Sequence, residues 1–194
     1  NNQVFNKNDL PSGVISTINR PALYTAILNV MQLQNVNNNL SGRYVIGNNI
    51  DASDTVNWNS GAGFNPLGNL STQFSGVFDG LGHTISNLTI NRPTTYYVGL
   101  FGKTNSASIR NIGLLDGAVT GRKYVGGLVG HNSNNSSIST AYTTGSVRGE
   151  IVGGLVGENN NGSSISNAYA MGTVAGLYSS RVGGLVGSNS GSIS

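Results

Sequence analysis

Val-Gly-Gly-Leu-Val-Gly stands at residues 125–130, again at 152–157 and again at 182–187. A shortened form, Val-Gly-Leu-Phe-Gly, occupies 98–102. Aligned on their leucines, the blocks place Leu100, Leu128, Leu155 and Leu185 at separations of 28, 27 and 30 residues. Each block has the same followers. Ile109, Ile138, Ile165 and Ile193 come next, three of them inside Ser-Ile-Ser. Gly-x-Val then gives Val119, Val147 and Val174. Ala141-Tyr142 and Ala168-Tyr169 lie between. Each repeat thus carries three short apolar strand signals divided by Gly, Asn and Ser turns.

A strand of three to five residues with one or two apolar side chains cannot bury them alone. Stacked copies can, because each strand pairs with its equivalent in the next coil at about 4.8 Å and like residues fall into columns. The reading is therefore all-β: a right-handed parallel β-helix, or solenoid, with three short strands per coil. The expected columns are the four leucines, the four isoleucines and the three valines. Helices are disfavoured, since each Gly inside an apolar block costs a helix about 1 kcal/mol. A β-propeller blade needs about 40 residues, longer than this period.

Upstream, residues 41–97 read as less regular coils of the same solenoid, with a polar loop from Asp51 to Leu70 that contains Trp58. Residues 98–194 hold the repeats. Residues 1–40 form an N-terminal segment with one helix over about 21–34. Pro21 suits its first position, and Leu23, Ile27, Val30 and Met31 share a face at helical spacing. An open solenoid end exposes core and backbone, so this helix is expected to cap it. The chain opens Asn-Asn-Gln, and its last repeat stops at Ser194 before a Gly-x-Val strand. It reads as an internal segment of a longer exported protein.

Composition narrows the function. Charged residues make up 9% of the chain, against about a quarter in an average soluble domain. There are 28 Asn and 29 Gly residues and no Cys. An uncharged Asn, Ser, Thr and Gly surface suits an extended extracellular β-structure, and absence of Cys leans toward export. The net charge of +3 comes from scattered Lys and Arg. No basic stripe for nucleic acid results. No apolar run reaches the roughly 18–20 residues of a membrane span.

Catalysis finds no footing. The acids are Asp9, Asp51, Asp54, Asp79, Asp116, Glu150 and Glu158, and no two share a repeat position. A carbohydrate-active β-helix needs clustered carboxylates. His83 and His131 have no partner at metal-ligand spacing, and His-Glu-x-x-His is missing. No catalytic, cofactor or metal residue is assigned. Asn132, Asn159 and Asn189 follow the blocks and read as an amide ladder at a coil corner, with ligand contact as the alternative. Tyr142 and Tyr169, at equal repeat positions, are either stacked structural residues or an aromatic strip for sugar. They and Trp58 are the candidate ligand contacts.

Val-Gly-Gly-Leu-Val-Gly-x-Asn followed by Ser-Ile-Ser resembles the GLUG repeat. Phe74–Ile90 is similar to the segment that commonly precedes such repeats, and Tyr44–Ser53 to the start of the module. GLUG modules occur in filamentous-haemagglutinin-like adhesins of two-partner secretion systems and in other bacterial surface proteins, including some IgA-cleaving metallopeptidases. The resemblance implies a secreted or cell-surface bacterial adhesin, a virulence factor exported through an outer-membrane secretion partner. Its ligand would be a host cell-surface glycan or protein, or a matrix polysaccharide. The alternative is a passive stalk that presents a distal binding or peptidase domain.

Overall fold

The computed structural model describes residues 23–194. Pro21, the expected start of the helix, lies outside them. The described part of the N-terminal segment begins with a strand, β1 (Thr25–Ile27), and only then enters a helix, α1 (Val30–Gln34), prolonged by a 3₁₀ turn over Asn35–Asn38. The helix is thus shorter and later than its apolar spacing suggests. Asn29 explains the boundary: its side chain accepts a hydrogen bond from the Gln32 amide and caps the first turn. Of the expected face, Ile27 and Val30 are buried but Leu23 and Met31 are exposed; Leu33 and Val36 complete the buried set.

Strands β2 (Arg43–Ile46) and β3 (Ile50–Asp51) follow, then β4 (Val77–Asp79), β5 (Thr84–Ser86), β6 (Thr89–Val98) and β7 (Phe101–Lys103). The repeats supply β8 (Ser108–Gly126), β9 (Val129–Asn132), β10 (Ser137–Gly153), β11 (Val156–Asn159), β12 (Ser164–Ala170), β13 (Thr173–Gly183), β14 (Val186–Asn189) and β15 (Ser192–Ile193). Every strand pair is parallel, and each joins a strand to its equivalent one coil away, as in β10 with β8 and β12. The result is a β-solenoid with an 11-stranded and a 4-stranded sheet.

Register makes the columns visible. Phe78, Ile109, Ile138, Ile165 and Ile193 pair in sequence. So do Ile90, Val119, Val147 and Val174. Along the second sheet run Phe101, Val129, Val156 and Val186. The leucines stack beside them, with Leu128 N donating to Leu155 O and Leu155 N to Leu185 O, each at 3.0 Å. Each buried aliphatic contributes roughly 1.5–3 kcal/mol.

The isoleucine and valine signals of a repeat lie together on one long bent strand in β8 and β10 and are divided between β12 and β13 in the next coil, while the leucine sits in the bend between strands and the rest of the glycine block supplies further paired segments. Single left-handed residues make the bends: Thr140 (φ 49) and Gly145 (φ 102) in β10. They turn the chain without ending its pairing, apart from local register shifts.

The stretch 51–70 is packed, not a free loop. It contains a 3₁₀ segment, and Thr55, Phe64 and Leu67 are wholly buried. Leu67 bridges Phe101 and Gly63 bridges Ile90, so this segment stands in for strands of the regular coils. Phe74 and Phe78 close on Phe101 at ring centroid distances of 4.8 and 5.1 Å, so rings fill the interior here.

Candidate functional site

Asn132 and Asn159 are fully buried inside a coil corner. Thr104 Oγ1 donates to Asn132 Oδ1 at 2.9 Å, Asn132 Nδ2 to Asn159 Oδ1 at 2.8 Å, and Asn159 Nδ2 to Asn189 Oδ1 at 2.8 Å. The amides run head to tail along the axis. Their remaining capacity meets the Ser136 and Ser163 carbonyls. Buried amides so satisfied have no group left to offer a ligand.

Tyr142 and Tyr169 pair in register on the outer face, rings stacked at 5.0 Å and 6°. The preceding coil has Gly113 at this position. A Cβ on Gly113 would lie 2.3 Å from Tyr142 Cζ, so the glycine gives that ring its place. The two rings border a groove of about 480 Å³ with Leu81, Asn111, Thr140 and Asn167. Trp58 is elsewhere. It is half-buried, stacks on Phe64 at 6.3 Å, and edges a separate depression beside Met31 and Asn35.

A second aromatic cluster was not singled out from sequence. Tyr97 and Tyr124 stack at 5.1 Å and 4°, and His131 lies nearly parallel to both at 5.6 and 5.8 Å. Lys103 Nζ stands 5.4 Å from the Tyr97 ring centre and Lys123 Nζ 5.4 Å from that of Tyr124. His131 Nε2 faces Asn160 Oδ1 at 3.0 Å and Glu158 Oε2 at 3.3 Å. Its Nδ1 is buried without a partner among the described residues. Burial pushes the imidazole below the usual histidine range and Lys103 adds to this, against the Asn160 hydrogen bond and the Glu158 charge. The sequence did carry a signal: Tyr-Val-Gly precedes both Leu100 and Leu128.

Asp79 and Arg110 are register partners and form an ion pair at 2.7 Å. Burial alone would raise the Asp79 carboxyl. Hydrogen bonds from Asn111, the Leu81 amide and Arg110 outweigh it and hold the group below the usual carboxylate range. These bonds pin the turn after β4 and make the pair structural. Asp51 accepts from Ser53 and Asn87 in a turn. Among the described residues no group of three His, Asp or Glu side chains is placed to hold a metal. Nor is any helix among the described residues long and apolar enough to cross a membrane.

Comparison with known proteins follows the repeats. The family model for the GLUG motif matches residues 121–148 and 149–175, and those residues are two GLUG motifs. The chain is 40% identical over 126 residues to Halomucin of Haloquadratum walsbyi (strain DSM 16790 / HBSQ001), a match spanning 60% of this chain and 1% of that protein. It is 30% identical over 127 residues to the immunoglobulin A1 protease of Streptococcus sanguinis, spanning 66% of this chain and 6% of that protein. A crystal structure from Bacteroides ovatus, provisionally assigned as an immunoglobulin A1 protease, superposes with a TM-score of 0.55 at 21% identity. The superposition covers 87% of this chain and 63% of that one and shows a shared fold.

Proposed function

We infer that this chain is a stalk segment of a secreted or surface-held protein, a β-solenoid that sets the distance between other parts of a longer chain. The carrying observation is the repetition of one coil, with like residues in register over the segment from the isoleucine to the tyrosine. Ser137, Ile138, Ser139, Ala141 and Tyr142 meet Ser164, Ile165, Ser166, Ala168 and Tyr169, each on its own kind. A structure built by repeating one coil adds length with each copy, at about 4.8 Å per coil. Its stability is then shared among neighbouring coils, as a spacer requires. Two curated relatives support the reading, because the matched stretch is 1% and 6% of their lengths. One of them is named a protease, which fits a stalk that carries a catalytic domain placed elsewhere.

The test removes one coil. Leu128 and Leu155 are equivalent, so deleting residues 129–155 joins Leu128 to Val156 in the same local sequence as Leu128 to Val129. A stalk segment stays folded and shortens by one coil in small-angle scattering. A chain that unfolds or changes cross-section after this deletion is not a modular spacer.

A further inference from the structure

The turn between the Ser-Ile-Ser and Ala-Tyr segments recurs coil after coil. Asn111, Thr140 and Asn167 occupy it in register, all with left-handed backbone at φ 54, 49 and 49. Leu81, on the longer turn of the coil before, has φ 51 and is largely exposed. This row forms one side of the groove described above; the row Gly113, Tyr142, Tyr169 forms the other. The groove therefore runs along the solenoid axis across four coils. None of its lining residues is charged, in a chain whose other surface depressions include one with Arg122, Arg148 and Glu150. The side chains of Thr140 and Asn167 are exposed and make no hydrogen bond among the described residues.

The geometry points to a binding site for a neutral, extended polysaccharide, laid along the axis with about one pyranose per coil. Three features select this ligand. Aromatic rings pack against the C–H faces of sugars while their hydroxyls bond outward. Free amide and hydroxyl groups without charge match a ligand that has hydroxyls and no charge. The ring spacing of 5.0 Å is close to the advance per residue of an extended pyranose chain, so sugars advance in step with the coils and two successive ones meet Tyr142 and Tyr169. A stalk with such a groove would attach along its side while it spaces.

Cello- and chito-oligosaccharides of two to six residues, titrated calorimetrically into the full chain, test this. Affinity should rise with length up to about four residues and then level, because four coils line the groove. Tyr169→Ala should weaken binding about tenfold, one aromatic contact, and Tyr169→Phe should retain it. Leu81→Glu, at an exposed rim position that leaves the core untouched, should weaken binding with the circular dichroism spectrum unchanged. Absence of binding by folded protein overturns the proposal, as does affinity independent of length. Tighter binding of oligogalacturonate also overturns it, since that ligand is charged. None of these failures touches the stalk reading, which rests on the coil-deletion test.

Discussion

Asn132 donates its Nδ2 to Oδ1 of Asn159 across 2.8 Å, and both side chains are sealed from solvent. The bond joins equivalent residues of consecutive coils, nitrogen to oxygen, and holds them at one spacing. Truncating a member strands its neighbours, and a buried polar group left unpaired costs about 1–3 kcal/mol. Asn159→Ala should therefore destabilise the protein by about 2–3 kcal/mol in urea unfolding. Asn189, at an exposed position with a single coil neighbour, should cost about 1 kcal/mol on the same change. Equal effects at the two positions would show that burial of the amides is not what matters.

Glycines in the repeats differ in what they permit. Gly145 has φ +102, and a Cβ there would lie 2.2 Å from the Gly117 carbonyl oxygen. Backbone of the preceding coil cannot move aside without breaking the ladder. Gly61 has φ +85 but faces open space. Gly61→Ala should cost about 1–2 kcal/mol, the left-handed penalty alone. Gly145→Ala adds the clash and should reach about 3 kcal/mol or more. Thermal unfolding of the two variants side by side checks the order.

The regular coils were legible because their signals are redundant. Leu128, Leu155 and Leu185 each sit behind Gly-Gly in an identical hexapeptide, and identity at a fixed period leaves only stacking as a way to bury them. Elsewhere the redundancy is missing. Phe64 and Leu67 lie in a stretch whose composition is polar, and their burial depends on Ile90 and Phe101 in the following coil. Leu23, Ile27, Val30 and Met31 match a helical face by spacing, yet Ile27 pairs with Ile46 as a strand. The cap at Asn29, a single hydrogen bond, decides that boundary, and pattern alone does not weigh it. Tyr97 and Tyr124 share a repeat position, but His131 joins their stack from another strand of the coil, and an alignment of like positions separates it from them.

The short helix should matter through one side chain of each pair on its surface. Leu33 is fully buried in the core, whereas Met31, two residues before it, is exposed. Gln34 and Asn37 also tie this segment to the backbone of Asn65, Pro66 and Gly68. Leu33→Ala should cost about 2–5 kcal/mol and Met31→Ala less than about 0.5 kcal/mol. If the helix caps the solenoid, the Leu33 variant should also self-associate in analytical ultracentrifugation under conditions where the parent is dispersed. A dispersed and undiminished Leu33→Ala protein would remove the cap.

His131 sets a pH dependence. Its neutral form places the proton on Nε2, toward Asn160 Oδ1 and Glu158 Oε2, and leaves the partnerless Nδ1 as a lone pair. A second proton would create a buried N–H with no acceptor among the described residues, beside the stacked rings of Tyr97 and Tyr124 and with Lys103 adding like charge. Its pKa in the folded chain is accordingly below the usual value, with burial the main cause. In the unfolded chain the group titrates near pH 6.5. The unfolded state therefore binds more protons once the pH falls to that region, and stability must decline with it. The stabilisation is present above the unfolded histidine range and is lost progressively as the pH falls through the acidic window below about 6.5. His131→Phe keeps a ring against the tyrosines and removes the proton. Its unfolding free energy should be flat over that window, while the parent's falls. Glu158→Gln should steepen the parent's decline, because it deletes the one carboxylate that favours the charged ring. Parallel curves for the parent and His131→Phe would mean that His131 takes up its proton equally well folded and unfolded, and the buried Nδ1 would then have to find an acceptor.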